Sequence, residues 1–157
     1  MYKACVITVS DRSFSGVYED KSGPAVSKAL QAGGYEVTES TIIPDEKNKI
    51  IEALLSACEK GISLIVTTGG TGFAERDITP EATKAVIEKE AEGIAEYMRM
   101  KSMEITPRAM LSRGIAGIRE KSLILNLPGS PKGASENLSF VLPYLGHGLD
   151  ILNGMGE

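Results

Sequence analysis

The sequence predicts an α/β fold, a three-layer sandwich with an open, mostly parallel sheet and helices on both faces. Three observations predict it. Short β-branched runs alternate with longer segments whose apolar residues recur at helical spacing, and that alternation implies parallel strands joined by helical crossovers. The first strand-like run is continuously apolar, as a strand covered on both faces is. Gly- and Pro-rich turns, rather than linkers or repeats, punctuate the segments. Residues 1–157 are therefore expected to form one domain.

Ala4-Cys5-Val6-Ile7-Thr8-Val9 is the first strand, closed by Ser10-Asp11. Residues 11–22 are polar and read as a loop. Pro24 can open a helix through Ala25, Val26, Ala29 and Leu30, which Gly33-Gly34 closes. Tyr35 to Ile43 reads as the second strand. Asp45 precedes a helix from Lys47 to Lys60, with Ile50, Ile51, Leu54 and Leu55 on one face and Gly61 after it. Ile62 to Thr68 is the third strand and runs straight into Gly69-Gly70-Thr71-Gly72. Thr79-Pro80-Glu81 has the residues of a helix start, with Thr as cap, Pro first and an acid in the first turn. That helix is expected to reach about Lys89 and another to run from Ile94 to about Ile105. Ser122 to Leu127 is a further strand, and Ala134 to Val141 and Pro143 to Leu152 are the last helical segments.

Composition narrows the function. Seventeen basic against 21 acidic residues give a net charge of -4 with no Lys/Arg run, which argues against non-specific nucleic-acid binding. No apolar stretch approaches the ~20 residues that span a bilayer. Met1-Tyr2-Lys3 leads directly into a strand rather than a signal peptide. A cytoplasmic location with Cys5 and Cys58 reduced and buried is the expectation. One histidine, His147, and no CxxC argue against a His/Cys metal centre.

In open parallel sheets, ligands bind beyond the carboxyl ends of the strands. Four polar clusters follow four predicted strands: Ser10-Asp11-Arg12, Pro44-Asp45-Glu46, Gly69 to Asp77, and Pro128 to Gly133. Gly69, Gly70 and Gly72, with Thr71 between them, free the backbone to turn successive N–H groups toward an anion. The loop lacks the endings of a Walker A or GxGxxG motif, and a plain surface turn is the competing reading. Asp45 and Asp77 each suit helix capping. Together beside a phosphate loop, they also suit Mg²⁺, which binds through one or two carboxylates plus substrate phosphates. Pro128-Gly129-Ser130-Pro131-Lys132-Gly133 offers rigid backbone, a hydroxyl and a cation. Ser112-Arg113-Gly114 offers a guanidinium that could fork to phosphate or sit in a surface ion pair.

These motifs, in this order, resemble the molybdopterin adenylyltransferases of molybdenum cofactor synthesis. They are also similar to the gephyrin-type G domains and the B-type molybdenum cofactor biosynthesis proteins. The resemblance spans nearly the whole chain. It rests on Val9-Ser10-Asp11-Arg12 with Gly16 and Asp20-Lys21, on Ile43-Pro44-Asp45-Glu46, and on Thr67-Thr68-Gly69-Gly70-Thr71-Gly72. Arg76-Asp77-Ile78-Thr79-Pro80-Glu81-Ala82-Thr83, Ser112-Arg113 and Asn126-Leu127-Pro128-Gly129-Ser130-Pro131-Lys132 complete it.

The resemblance implies a three-layer α/β fold, usually a homotrimer, that binds molybdopterin and Mg-ATP. It implies transfer of AMP to the terminal phosphate of molybdopterin, with pyrophosphate released. The product then passes to a molybdenum-insertion protein. By this resemblance Asp45 and Asp77 are the catalytic and metal-holding carboxylates. Ser10 and Asp11 form the first binding loop, and Pro128, Gly129, Ser130 and Lys132 the pterin-side turn. Phe73-Ala74-Glu75 is closer to the B-type pattern, so a non-catalytic or weakly active molybdopterin-binding paralogue is the alternative. An unrelated nucleotide-binding α/β domain is a third reading.

Overall fold

A computed structural model describes residues 1–156. Four strands run parallel in the order β2 (Glu36–Ile43), β1 (Lys3–Val9), β3 (Leu64–Thr68) and β6 (Ser122–Leu127). Two short strands, β5 (Ala116–Arg119) and β4 (Lys89–Glu90), extend the β6 edge in antiparallel fashion. The sheet is thus six-stranded, mixed and open.

Alternation along each strand sends successive side chains to opposite faces. Ala4, Val6, Leu64, Val66, Leu123, Leu125 and Leu127 pack beneath α2 (Ser22–Ala32), α5 (Glu92–Met103) and α6 (Pro131–Leu152). Cys5, Ile7, Val9, Ile65 and Ile124 pack beneath α3 (Lys47–Glu59) and α4 (Thr79–Val86). Cys5 and Cys58 are free thiols buried in that second layer, and burial pushes the Cys5 thiol up to about 12.

Register sets the functional edge. Val9 lies opposite Ile43, Thr8 opposite Thr68, and Thr68 opposite Leu127. The four parallel strands therefore end level, and Ser10, Pro44, Gly69 and Pro128 begin their four loops in a row.

Several expected boundaries are corrected. The loop over residues 11–22 contains a short helix, α1 (Asp11–Phe14), and α2 begins at Ser22 rather than Pro24. Helix α4 stops at Val86, not Lys89, because the chain turns into β4. The two terminal helical segments are one helix of 22 residues with Pro143 inside it. An interior proline costs about 3 kcal/mol. Leu138, Val141, Leu145 and Leu149 are all buried on one face. Each contributes about 1.5–3 kcal/mol, so the apolar stripe prevails over the missing N–H.

Candidate functional site

The Gly69–Gly72 turn is built for close backbone approach. Gly69 has φ +103°, and a Cβ there would lie 2.3 Å from the Val9 carbonyl oxygen. Gly70 has φ +69°, and a Cβ would lie 2.3 Å from Thr79 Oγ1 and 3.2 Å from Asp45 Oδ1. A Cβ on Gly72 would lie 2.9 Å from Asp77 Oδ2. Asp45 and Asp77, 32 residues apart in sequence, thus flank one glycine turn. The Gly69 amide donates to Leu127 O at 3.1 Å, so it is used within the protein. The amides of Gly70, Thr71 and Gly72 make no such bond among the described residues, and the cradle narrows to those three.

Neither carboxylate caps its helix. The cap positions of α3 and α4 are Glu46 and Ile78, without side-chain cap bonds. Asp45 Oδ2 instead accepts the Asp11 amide at 2.8 Å, and Asp11 Oδ1 accepts the Asp45 amide at 2.9 Å. Arg76 forks onto Asp11, with Nε at 2.6 Å from Oδ2 and Nη2 at 3.0 Å from Oδ1. That fork holds the Asp11 carboxyl below the usual carboxylate range. Burial pushes the Asp45 carboxyl up, and the charges of Asp11 and Asp77 add to the shift. Asp77 Oδ2 accepts the Ala74 amide at 3.0 Å and closes the turn between them. Thr79, expected as the cap, is the first residue of α4. Its hydroxyl is buried without a partner among the described residues.

Arg113 engages the protein on every side. Its Nε donates to Gly72 O at 2.8 Å and its Nη2 to Asp77 O at 2.7 Å. Glu81 takes Nη1 at 2.7 Å and Nη2 at 3.3 Å. Behind the loop, Asn126 is buried and donates through Nδ2 to Thr67 Oγ1 and Thr83 Oγ1, both at 3.0 Å. Its Oδ1 accepts the Ile115 amide at 3.2 Å. One side chain therefore ties β3, α4 and the segment before β5 together.

On the other side of the loop lies a cleft of about 370 Å³, whose walls include Thr71, Gly72, Ser112, Pro128, Ser130 and Arg108. Ser10 and Ser130 cap α1 and α6, their hydroxyl oxygens accepting the Ser13 and Gly133 amides at 3.1 Å each. Ser112 Oγ accepts the Gly114 amide at 3.3 Å. Each accepts through oxygen, so each retains a hydroxyl hydrogen to give an anion. Gly129 O accepts the Ser22 hydroxyl, and Pro128 O the Thr68 hydroxyl at 2.6 Å. These bonds fix the turn that carries Ser130. Lys132 is exposed and 3.8 Å from Glu136. A larger apolar cavity of about 570 Å³, lined by Tyr97, Tyr144 and Leu123 among others, lies between α5 and α6. It holds none of the predicted residues.

The sequence-predicted residues thus gather at one edge, in two groups. Asp11, Asp45, Asp77 and Gly70 form an acidic side, while Thr71, Gly72, Ser112, Pro128 and Ser130 wall the cleft. Sequence reasoning missed Arg76 and Asn126 as individual contributors, and also Arg99. The last donates through Nη1 to Ser112 O at 3.2 Å and Gly114 O at 2.7 Å. Arg76 stood only within the motif around Asp77, with no role of its own. Asn126 likewise stood in the motif that ends at Lys132 without a role, and nothing local marked Arg99, because their partners lie on other elements.

The family described as "Probable molybdopterin binding domain" matches residues 5–147. A molybdopterin adenylyltransferase of Helicobacter pylori strain J99 is 47% identical over 152 residues, covering 95% of this chain and 86% of that protein. Gephyrin of Dictyostelium discoideum is 41% identical over 158 residues, covering 94% of this chain and 22% of that protein. Among solved structures, the molybdopterin biosynthesis enzyme MoaB of Thermus thermophilus superposes with a TM-score of 0.93. It is 46% identical, with 99% of each chain covered.

Proposed function

Since the chain belongs to the molybdopterin binding domain family, we propose that it is the adenylyltransferase of molybdenum cofactor biosynthesis. It transfers AMP from ATP to the terminal phosphate of molybdopterin. The observation that carries this reading is the meeting of Asp45 and Asp77 at a glycine turn, beside a separate cleft. Two anionic reactants need in-line positions and a shared point of contact, and the glycine turn between the carboxylates and the cleft supports that reading.

The pterin lies in the cleft, its phosphate toward the free amides of Gly70, Thr71 and Gly72 and the hydroxyls of Ser112 and Ser130. ATP lies on the acidic side. A phosphate oxygen of the pterin bonds to the α-phosphorus of ATP. The bond from that phosphorus to the bridging oxygen breaks, and its electron pair leaves on pyrophosphate. Such a displacement needs in-line positioning and charge neutralisation, not a protein nucleophile.

The donor set fits Mg²⁺. Asp45 Oδ1 accepts no hydrogen bond among the described residues, and Asp77 offers a second carboxylate. No cluster of three or more His, Cys, Asp or Glu exists among the described residues. An all-protein cage is therefore absent there, and two carboxylates completed by substrate phosphates are the usual Mg²⁺ arrangement. Bound by Asp45 and Asp77, the ion would neutralise phosphate charge. The exposed Met100, Met103, Ile105, Met110 and Leu111 suit a subunit contact in a homotrimer. We also place the chain in the cytoplasm, handing its product to a molybdenum-insertion protein.

Incubation with molybdopterin, ATP and Mg²⁺, followed by mass analysis, is expected to yield adenylyl-molybdopterin and pyrophosphate. Asp77→Ala is expected to lose most turnover, on the order of 100-fold, with pterin fluorescence still quenched on binding. A second reading, a B-type binding paralogue, is favoured by the exposed Phe73-Ala74-Glu75 segment. It predicts pterin binding with no ATP consumed.

A further inference from the structure

We infer that Arg113 is a positioning residue, whose guanidinium sets the Gly72–Asp77 loop against α4 rather than taking hold of a phosphate. The inference rests on the adenylyl-transfer reading and concerns how its acidic side is kept in place.

Four of the five guanidinium N–H donors are engaged. Nε reaches Gly72 O, Nη2 reaches both Asp77 O and Glu81 Oε1, and Nη1 reaches Glu81 Oε2. Gly72 and Asp77 are the two ends of the loop, so the planar fork fixes its span. The main chain adds to the hold, with the Arg113 amide on Thr71 O at 2.9 Å. Glu81 neutralises the cation at close range, and its own carboxyl is held below the usual range by that bond. Little field is left for a phosphate.

Arg76 ties the loop to Asp11, while Arg113 holds the carbonyls of Gly72 and Asp77. Phe73, Ala74 and Glu75 between the two carbonyls are exposed. Arg99 braces the segment that delivers Arg113, through the carbonyls of Ser112 and Gly114 on either side of it. The arrangement runs from α5 through Arg99 to Arg113, and from Arg113 to the backbone of Asp77. Lysine cannot reproduce it, since a point charge has no fork.

The test compares Arg113→Ala, Arg113→Lys, Glu81→Ala and the Arg113→Ala/Glu81→Ala double variant with the wild type. Turnover is measured with molybdopterin, ATP and Mg²⁺, and ATP affinity separately by calorimetry. A misplacement of about 1 Å costs on the order of 100-fold in rate. Arg113→Ala is expected to lose about that much kcat, with ATP Kd within about threefold of wild type. Glu81→Ala falls in the same direction, and the double variant is no worse than Arg113→Ala. Methylguanidinium restores part of the Arg113→Ala rate. The Ala74 and Asp77 amides, hydrogen-bonded within the loop, exchange hydrogen faster in Arg113→Ala and Glu81→Ala.

A rise in ATP Kd with kcat kept would overturn the inference, as would unchanged or raised turnover in Glu81→Ala. If Arg113→Ala does not fold, Arg113→Lys and Glu81→Ala carry the same comparison. A wild-type protein that binds pterin without turnover sinks the adenylyl-transfer reading alone. The exchange rates of the Ala74 and Asp77 amides then still judge the clamp.

Discussion

Asp11 and Asp45 hold each other by their backbones, each carboxylate accepting the other's amide, at 2.8 and 2.9 Å. The exchange ties the end of β1 to the end of β2 across the sheet's parallel edge. It also leaves the two acids unlike. Asp11 is neutralised by Arg76, while Asp45 keeps one oxygen, beside Gly70, without a donor among the described residues. The same pair of bonds thus makes one carboxylate structural and presents the other.

Asp11→Ala removes the acceptor for the Asp45 amide and strands Arg76. An unsatisfied buried donor costs about 1–3 kcal/mol, and the Asp45 amide is only partly buried, so the lower half of that range is expected. Asp11→Asn keeps a carbonyl oxygen for the amide and loses only the ionic part of an exposed pair, worth about 0–1 kcal/mol. Urea unfolding should rank wild type, Asn and Ala in that order. Equal losses in the two variants would mean that the amide bond contributes nothing.

The two arginine-held acids set the response to acid. The carboxyls of Asp11 and Glu81 lie below their ordinary values, chiefly through Arg76 and Arg113. A carboxyl whose pKa is lower folded than unfolded adds stability above its unfolded value, about 4 for both types. That stability drains as pH falls through the folded value. Asp45 has the opposite sign, because burial raises its pKa, so its ionisation costs stability as pH rises through the folded value. Unfolding free energy measured from about pH 6 down to pH 2 should fall less steeply below about pH 4 in Asp11→Asn/Glu81→Gln than in wild type. The exposure of both pairs keeps the difference modest. Parallel curves would contradict the assignment.

Much of the layout was legible because it is periodic. The continuous apolar runs named β1, β3 and β6, and parallel pairing then put Ser10, Asp45, Gly70 and Ser130 on one edge. What stayed hidden was of two kinds. β4 and β5 total six residues, Lys89-Glu90 and Ala116-Gly117-Ile118-Arg119, too short and too polar to show a pattern. Long-range polar bonds leave no local trace either. Asn126 reads as one polar residue in an apolar strand until Thr67, Thr83 and Ile115 surround it. Asp45 and Asp77 looked equally suited to capping, and only the backbone placement of Glu46 and Ile78 at the caps removed that option.

Asn126→Leu tests that buried network. Leucine keeps the approximate volume but strands the Ile115 amide and two threonine hydroxyls that now have a donor. Loss of one buried partner costs about 1–3 kcal/mol, and neighbours in one network do not add simply. A destabilisation of about 3 kcal/mol is expected in chemical denaturation. Because the network backs the glycine turn, turnover should also fall while the variant remains folded. A loss below about 0.5 kcal/mol, the level of an ordinary surface change, would show the network to be dispensable.

Gly70→Ala separates two costs that glycine avoids at the turn. At φ +69° an added Cβ is strained by about 1–2 kcal/mol whatever surrounds it. It would also lie 2.3 Å from Thr79 Oγ1 and 3.2 Å from Asp45 Oδ1, so something must move. Gly34 supplies the comparison, with φ +90° and open space where its Cβ would go. Gly34→Ala should therefore show the backbone strain alone, with turnover intact. Gly70→Ala should lose more stability than Gly34→Ala and nearly all turnover, because relief of the contact pushes the free amides of Gly70, Thr71 and Gly72 away from Asp45. Wild-type turnover in Gly70→Ala would mean that the spacing between the glycine turn and Asp45 does not govern the reaction.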